Sequence, residues 1–264
     1  MSVAPVLARY ERRVRASETR VWENVLDWEH LPWLHRHAFA SCERLASSRE
    51  GWRARVRLPP GGTAPEILLE LETLRDAGRY VARTLEGPGA GTEIWTRVRV
   101  AGPHETDIEV DFHVPEVPEP ARAALGAAYQ RLYARLWDED EAMMRRREAV
   151  LAGGLLRAPP AGGELRLGPA AALLARAPFV LEAGGVPLRI AVLGGELYAH
   201  SAVCPHWGGP LEEQDEGDPC VRCPWHGYRF DVRTGSGAGG RALRLPFARR
   251  IEIDAHGEAR LSLA

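Results

Sequence analysis

The chain has 264 residues, 45% hydrophobic and 27% charged, with a formal net charge of −2. That length allows two ordinary domains, the balance suits a globular protein that buries proper cores, and the near-neutral charge leaves no basic footprint for nucleic acid. No apolar run approaches the roughly 18 residues needed to span a bilayer, and the N-terminus lacks the apolar stretch of a signal peptide. Four unevenly placed cysteines make no disulfide framework, so the expectation is a cytoplasmic chain with neither membrane nor nucleic-acid partner.

The first half reads as a strand, helices, several strands and one long helix. "VLARYERRVRA" is a first strand, and Ser17 can cap a helix through "ETRVWENVLDW" that Pro32 interrupts or redirects. "WRARVRL", "EILLELETL", "RYVARTLE", "GTEIWTRVRV" and "TDIEVDFHV" follow as strands. In the last, Ile108, Val110, Phe112 and Val114 alternate with Glu109, Asp111 and His113, the period of a half-buried strand. "PEPARAALGAAYQRLYARLWDEDEAMMRRREAVL" is a long helix opened by proline. The expected class is α+β, with a curved antiparallel sheet on the long helix enclosing a cavity.

From Leu151 to Pro169, "LAGGLLRAPPAGGELRLGP" is too rich in Gly and Pro to continue a helix or strand comfortably. We place domains at 1–150 and 164–264, with a linker at 151–163. Beyond it, "FVLEAGG", "VPLRIAVLGGELYAHSAV", "YRFDVRTG" and "RRIEIDAHGEARLSL" are short strands joined by Gly turns, a small all-β domain.

Metal-ligand residues are crowded unevenly. "AVCPHWGGPLEEQDEGDPCVRCPWHGYRFDVRTG" contains three of the four cysteines, and "WENVLDWEHLPWLHRH" contains three of the nine histidines. In the first stretch Cys204-x-His206 is followed by Cys223-x-x-His226. Two thiolates and two imidazoles bind soft and borderline metals, and this set could hold one tetrahedral zinc. The second stretch supplies histidines, and the long helix supplies a candidate carboxylate, Asp140. At 100° per residue Tyr129, Leu132, Leu136, Asp140 and Met143 share a helical face. A carboxylate in such an apolar stripe is costly unless paired or bound to metal. Two imidazoles and one carboxylate make a facial triad suited to non-haem Fe(II). The ordinary alternatives are a solvated face for Glu23, Asp27 and His30, and an ion pair between Asp140 and Arg146 or Arg147.

"CPHWGG" and "CPWHGYRFD" with the following "TG" resemble the paired loops of Rieske proteins, a match that covers about the last hundred residues. The resemblance implies a [2Fe–2S] cluster held by Cys204, His206, Cys223 and His226. Gly208 and Gly227 would let the backbone approach the cluster and aim N–H groups at its sulfurs. Gly209 and Trp225 stand where Rieske proteins of respiratory complexes carry an extra cysteine pair, so the domain is similar to the oxygenase and ferredoxin branch.

Glu23-x3-Asp27-x2-His30-x4-His35, with Glu139-Asp140 on the last helix of a START-like helix-grip domain, resembles Rieske non-haem iron oxygenases, the terminal components of ring-hydroxylating systems. The resemblance implies Fe(II) on His30, His35 and Asp140, and an electron-transfer bridge at Asp27 between His30 and His226. It further implies O2 and a small apolar or aromatic substrate, and an NAD(P)H-dependent reductase, with or without a ferredoxin. The expected assembly is a homo-oligomer, a trimer favoured, because in that family the donor cluster belongs to a neighbouring subunit. The chain departs from the family by placing the Rieske domain second, by a short catalytic part, and by Glu23 where Asn is common. The competing expectation is a START-like ligand-binding domain fused to a Rieske electron carrier without mononuclear iron. Trp95, Tyr80, Phe112, His113, Tyr129 and Tyr133 are candidates for the cavity lining.

Overall fold

The computed structural model describes residues 3–59, 65–215, 217–240 and 242–263. It divides into two units, Met1–Arg145 and Arg146–Ala264, and the class is α+β.

The first unit opens with β1 (Val6–Val14), then α1 (Glu18–Leu26) and the one-turn α2 (Leu31–Leu34). Ser17 precedes α1 in extended geometry but makes no side-chain cap. Strands β2 (Ser41–Ser47), β3 (Gly51–Arg57), β4 (Glu66–Leu74), β5 (Arg79–Glu86), β6 (Glu93–Gly102) and β7 (Glu105–His113) follow. β1 returns beside β7, giving one antiparallel sheet of order β1-β7-β6-β5-β4-β3-β2. The long α3 (Glu119–Ala152) completes the helix-grip arrangement. Alternation decides which face of the sheet is covered: Ile108, Val110 and Phe112 are buried with Val98, Val56 and Trp52 in one core. The other face carries cross-strand ion pairs, among them Arg9–Asp111 at 2.7 Å and Arg13–Asp107 at 2.8 Å.

Of the expected stripe of α3, Met143 is fully buried, Tyr129 packs against the core and Leu136 and Asp140 are half-buried, so Leu132 alone departs. Leu132 is 37% exposed, whereas Trp137 and Met144 are buried in the core with Tyr129 and Tyr133 against it. Tyr129 stacks on Phe112 at 5.0 Å and Tyr133 meets it edge-on at 4.8 Å, so aromatic rings rather than leucines fill the space under the sheet. Glu141 is also buried, paired at 2.7 Å each with Arg12 of β1 and with Arg15 just beyond it.

In the second unit β8 (Glu164–Pro169) and α4 (Ala170–Arg176) lead into β9 (Phe179–Ala183), β10 (Val186–Leu193) and β11 (Glu196–Ser201). Two small strands, β12 (Glu213–Gln214) and β13 (Cys220–Arg222), precede β14 (Arg229–Asp231); β15 (Ala248–Arg250), β16 (Glu252–Ile253) and β17 (Glu258–Ser262) close the unit. They form sheets of order β15-β11-β10-β9, β12-β13-β14 and β16-β17-β8. Leu188, Ile190, Leu197, Ile251 and Leu261 build its core. α4, a helix that the Gly/Pro-rich text did not announce, buries Ala170 and Leu173 there.

Candidate metal centres

In the first unit the break between α1 and α2 does the positioning. Asp27 has left helical geometry, with φ −87° and ψ 92°, and its Oδ1 accepts the Glu29 N–H at 3.2 Å. That local turn competes with the helix and brings the chain back toward the core. Pro32, in the first turn of α2, fits where no backbone N–H is needed. His30 and His35, 4% and 2% exposed, end up with ring centroids 5.0 Å apart. Asp140, from α3, presents Oδ1 at 3.6 Å from His30 Nε2 and 3.0 Å from His35 Nε2. One donor atom from each of the three lies within 4.8 Å of the others. Asp27 is not in that group; its Oδ2 lies 3.3 Å from His30 Nδ1. Burial pushes the His35 pKa down, yet the Asp140 charge and hydrogen bonds to Asp140 and Glu139 outweigh it and hold it above the ordinary imidazole value.

A cavity of about 120 Å³ opens beside these donors, lined by Asp27, His30, His35 and Asp140 together with apolar and aromatic side chains. Tyr80 and Tyr133 line it. Burial pushes both phenols up, so they remain neutral O–H groups. The other four aromatic candidates do not line it. Phe112 and Tyr129 pack in the core, His113 Nδ1 donates to the Ala4 carbonyl at 2.7 Å, and Trp95 donates to Glu93 at 2.7 Å. Asn24 lines the cavity instead, 5% exposed, while its neighbour Glu23 pairs with Arg20 at 2.6 Å.

In the second unit two loops of like geometry face each other. Gly208 N–H donates to the Cys204 carbonyl and Gly227 N–H to the Cys223 carbonyl, each at 2.9 Å. Cys204 N–H in turn meets the Gly209 carbonyl, and Cys223 N–H the Tyr228 carbonyl, each at 2.8 Å. Gly208 and Gly227 take φ of 81° and 66°, the left-handed turn that glycine adopts without steric cost. The thiols are buried, 0% and 1% exposed, and Cys204 hydrogen-bonds to Cys223, which holds the Cys223 thiol below its ordinary value. Backbone N–H groups of His206 and Trp207 address the Cys204 sulfur, and that of Trp225 addresses Cys223. The imidazoles of His206 and His226 lie 4.5 Å apart, nearly perpendicular.

Residues 164–247 match the Rieske [2Fe-2S] domain family. Among curated proteins, the chain is 45% identical to a human Rieske domain-containing protein, over 16% of this chain and 30% of that one. It is 37% identical to the ferredoxin subunit of anthranilate 1,2-dioxygenase from Burkholderia cepacia, over 22% and 55%. Thus the chain spans about a third and about half of these relatives' lengths. Among solved structures, a START superfamily protein from Mycobacterium smegmatis is similar over 53% of this chain and 97% of its own, at 18% identity and a TM-score of 0.44.

The Rieske match supports an electron-transfer role for residues 164–247 and implies a [2Fe–2S] cluster there, and the residues present fit one. Two thiols and two imidazoles converge with backbone donors at the sulfurs, the ligand set of such a cluster. A Cβ on Gly209 would lie 2.6 Å from Cys223 Sγ and 3.0 Å from the Trp225 ring, so the cradle tolerates nothing larger than glycine. The last turns of α3 hold the first Rieske loop: Arg146 Nε donates to the Gly208 carbonyl at 3.0 Å, and the Arg147 guanidinium lies 4.5 Å over the Trp207 ring. Of the other cysteines, burial pushes Cys42 up to about 12, an inert packing thiol. Cys220 N–H donates to Asp218 Oδ1 at 2.8 Å.

Asn24 was readable in principle, since it shares a helical face with buried Val21 and Val25, as Asp140 does with its apolar neighbours. The partner of His35 on its other nitrogen is Glu139, and nothing in the local sequence pairs residues so far apart.

Proposed function

We propose that the chain is a Rieske-type non-haem iron oxygenase that oxidises a small apolar or aromatic substrate. The observation that carries this reading is the convergence of His30, His35 and Asp140 within 4.8 Å at the wall of a mostly apolar cavity, in a chain that also carries a Rieske domain. Two imidazoles and a carboxylate occupy one side of a metal and leave the rest open. When bound, the cluster supplies single electrons and Fe(II) supplies the position at which O2 is activated.

The chain's own residues do the rest. His30 and His35 direct Nε2 at the metal position. Asp27, whose Oδ2 lies 3.3 Å from His30 Nδ1, is the electron-transfer bridge of this reading. Apolar walls around the cavity exclude water, and Tyr80 and Tyr133 offer neutral donors to a substrate hydroxyl or carbonyl. At about 120 Å³ the space is well below the ~300–1,000 Å³ of sites for larger ligands, which suits a single small ring. The donor of electrons would be an NAD(P)H-dependent reductase, directly or through a ferredoxin, and the assembly a ring of subunits, a trimer favoured.

A single-turnover experiment tests this. Iron-loaded, chemically reduced protein is mixed with ¹⁸O-labelled O2 and a panel of single-ring aromatics. Labelled product from the wild type and none from His30→Ala supports the oxygenase; reoxidation of the cluster without labelled product from any compound counts against it. The match to a dioxygenase ferredoxin subunit favours a second reading, an electron carrier fused to a START-like ligand-binding domain. On that reading the cavity still binds small apolar molecules, but no iron beyond the cluster is taken up.

A further inference from the structure

A histidine ligand can face a metal with one nitrogen only if its proton sits on the other, and a carboxylate at that second nitrogen fixes the tautomer and the ring plane. His35 has such a partner. Its Nε2 faces Asp140 at 3.0 Å, while its Nδ1 lies 2.7 Å from Glu139 Oε2. Glu139 is itself held: Arg135, one turn earlier on α3, donates to its Oε1 at 3.2 Å, and His37 Nδ1 lies 3.5 Å from the same oxygen. Adjacent helix positions differ by about 100°, so one residue enters the cavity and the next passes beside the ring. Asp140 lines the cavity; Glu139 reaches the far side of His35.

We propose that Glu139 is the positioning residue of this metal centre, a carboxylate that keeps the His35 proton on Nδ1 and leaves Nε2 for the metal. The assignment rests on reading His30, His35 and Asp140 as metal ligands. It makes His35 the counterpart of His30, whose Nδ1 faces Asp27 at 3.3 Å. Each imidazole then has a carboxylate behind it and shares Asp140 in front. Arg135 acts one step further out, holding the Glu139 carboxylate in the plane that His35 requires.

The test is anaerobic equilibrium dialysis of the full, cluster-loaded chain against Fe(II), comparing wild type, Glu139→Gln and Glu139→Ala. Outer-shell partners of this kind typically change metal affinity by about 10–100-fold. We expect that range of loss for Glu139→Ala and a smaller loss for Glu139→Gln, which keeps a neutral acceptor. A second readout separates orientation from general damage. In ¹⁵N-histidine spectra of the Zn(II)-loaded chain, wild type and Glu139→Gln show a hydrogen-bonded Nδ1–H on His35, and Glu139→Ala loses that signal while keeping its cluster spectrum. Equal Fe(II) affinity in all three proteins overturns the role of Glu139 and leaves the metal centre standing. If the wild type takes up no iron beyond the cluster, the metal centre itself is refuted, and this inference with it.

Discussion

Gly209 is the tightest point of the cluster cradle, where an added methyl would meet Cys223 Sγ at 2.6 Å and the Trp225 ring at 3.0 Å. Sulfur cannot retreat from there without leaving the ligand geometry. Gly209→Ala should therefore lose most of its cluster, read as visible absorbance and acid-labile sulfide per chain, while Fe(II) uptake at the His30 site is unchanged; a full cluster in this variant would contradict the packing argument. Asp27 acts differently. Because it faces His30 at Nδ1 and is not among the three converging donors, Asp27→Ala should keep the cluster, weaken Fe(II) binding as removal of an outer carboxylate does, and nearly abolish turnover even at saturating Fe(II). Normal turnover would rule out Asp27 as the bridge. At this scale the sequence speaks clearly where ligands are local. Cys204 and His206, or Cys223 and His226, are picked out as candidates by spacing of a few residues and by the Pro and Gly around them. Glu139 is silent, because its partner lies 104 positions away and only folding makes them neighbours.

Among the elements, β7 was the most readable, since strict alternation puts Ile108, Val110 and Phe112 on one face and leaves Asp111 on the other. Asp111 is nevertheless buried, at 3% exposure, beneath Arg9 at 2.7 Å and Arg97 at 3.1 Å. Burial pushes its pKa up, but the hydrogen bonds and charges of the two arginines outweigh it and hold it below the usual carboxylate value. A depressed folded-state pKa contributes stability above the unfolded value near 3.8 and loses it as pH falls through the lower folded value. Hydrogen bonds to a charged partner are worth about 1.5–3 kcal/mol, so Asp111→Asn should lower the unfolding free energy at pH 7, read from urea titration, by an amount in that range. The gap to wild type should shrink as the pH drops below 3.8; a gap independent of pH would mean that packing, not charge, is lost. Elements were misjudged where local chemistry beats periodicity. The turn at Asp27 ends α1 at Leu26, earlier than the apolar pattern suggests. α3 turns Tyr129, Tyr133 and Trp137 to the core and leaves Leu132 exposed.

For the whole molecule, the central claim is that one chain carries two separate metal centres, a Rieske cluster in the second unit and a mononuclear iron in the first. The ligands proposed for them share no residue: His30, His35 and Asp140 precede Arg145, and Cys204, His206, Cys223 and His226 follow it. His30→Ala or Asp140→Ala should thus lose the mononuclear iron alone, with the cluster's visible spectrum intact. Loss of all iron together would refute the separation. The sequence reading puts a linker at 151–163, in the Gly- and Pro-rich text, whereas the two units divide at Arg145/Arg146, within α3. The continuation of α3 to Ala152, with Arg146 on the Gly208 carbonyl, was not visible in that text, because a helix end is set by what it packs against as much as by its own residues.

The measurement that bears most directly on this claim is iron and acid-labile sulfide per chain, on protein purified anaerobically and reconstituted with Fe(II). About three irons to two sulfides per chain is the expected result, a [2Fe–2S] cluster plus one mononuclear site. Two irons to two sulfides, with no further iron taken up, would contradict it and leave the first unit as a binding domain joined to an electron carrier.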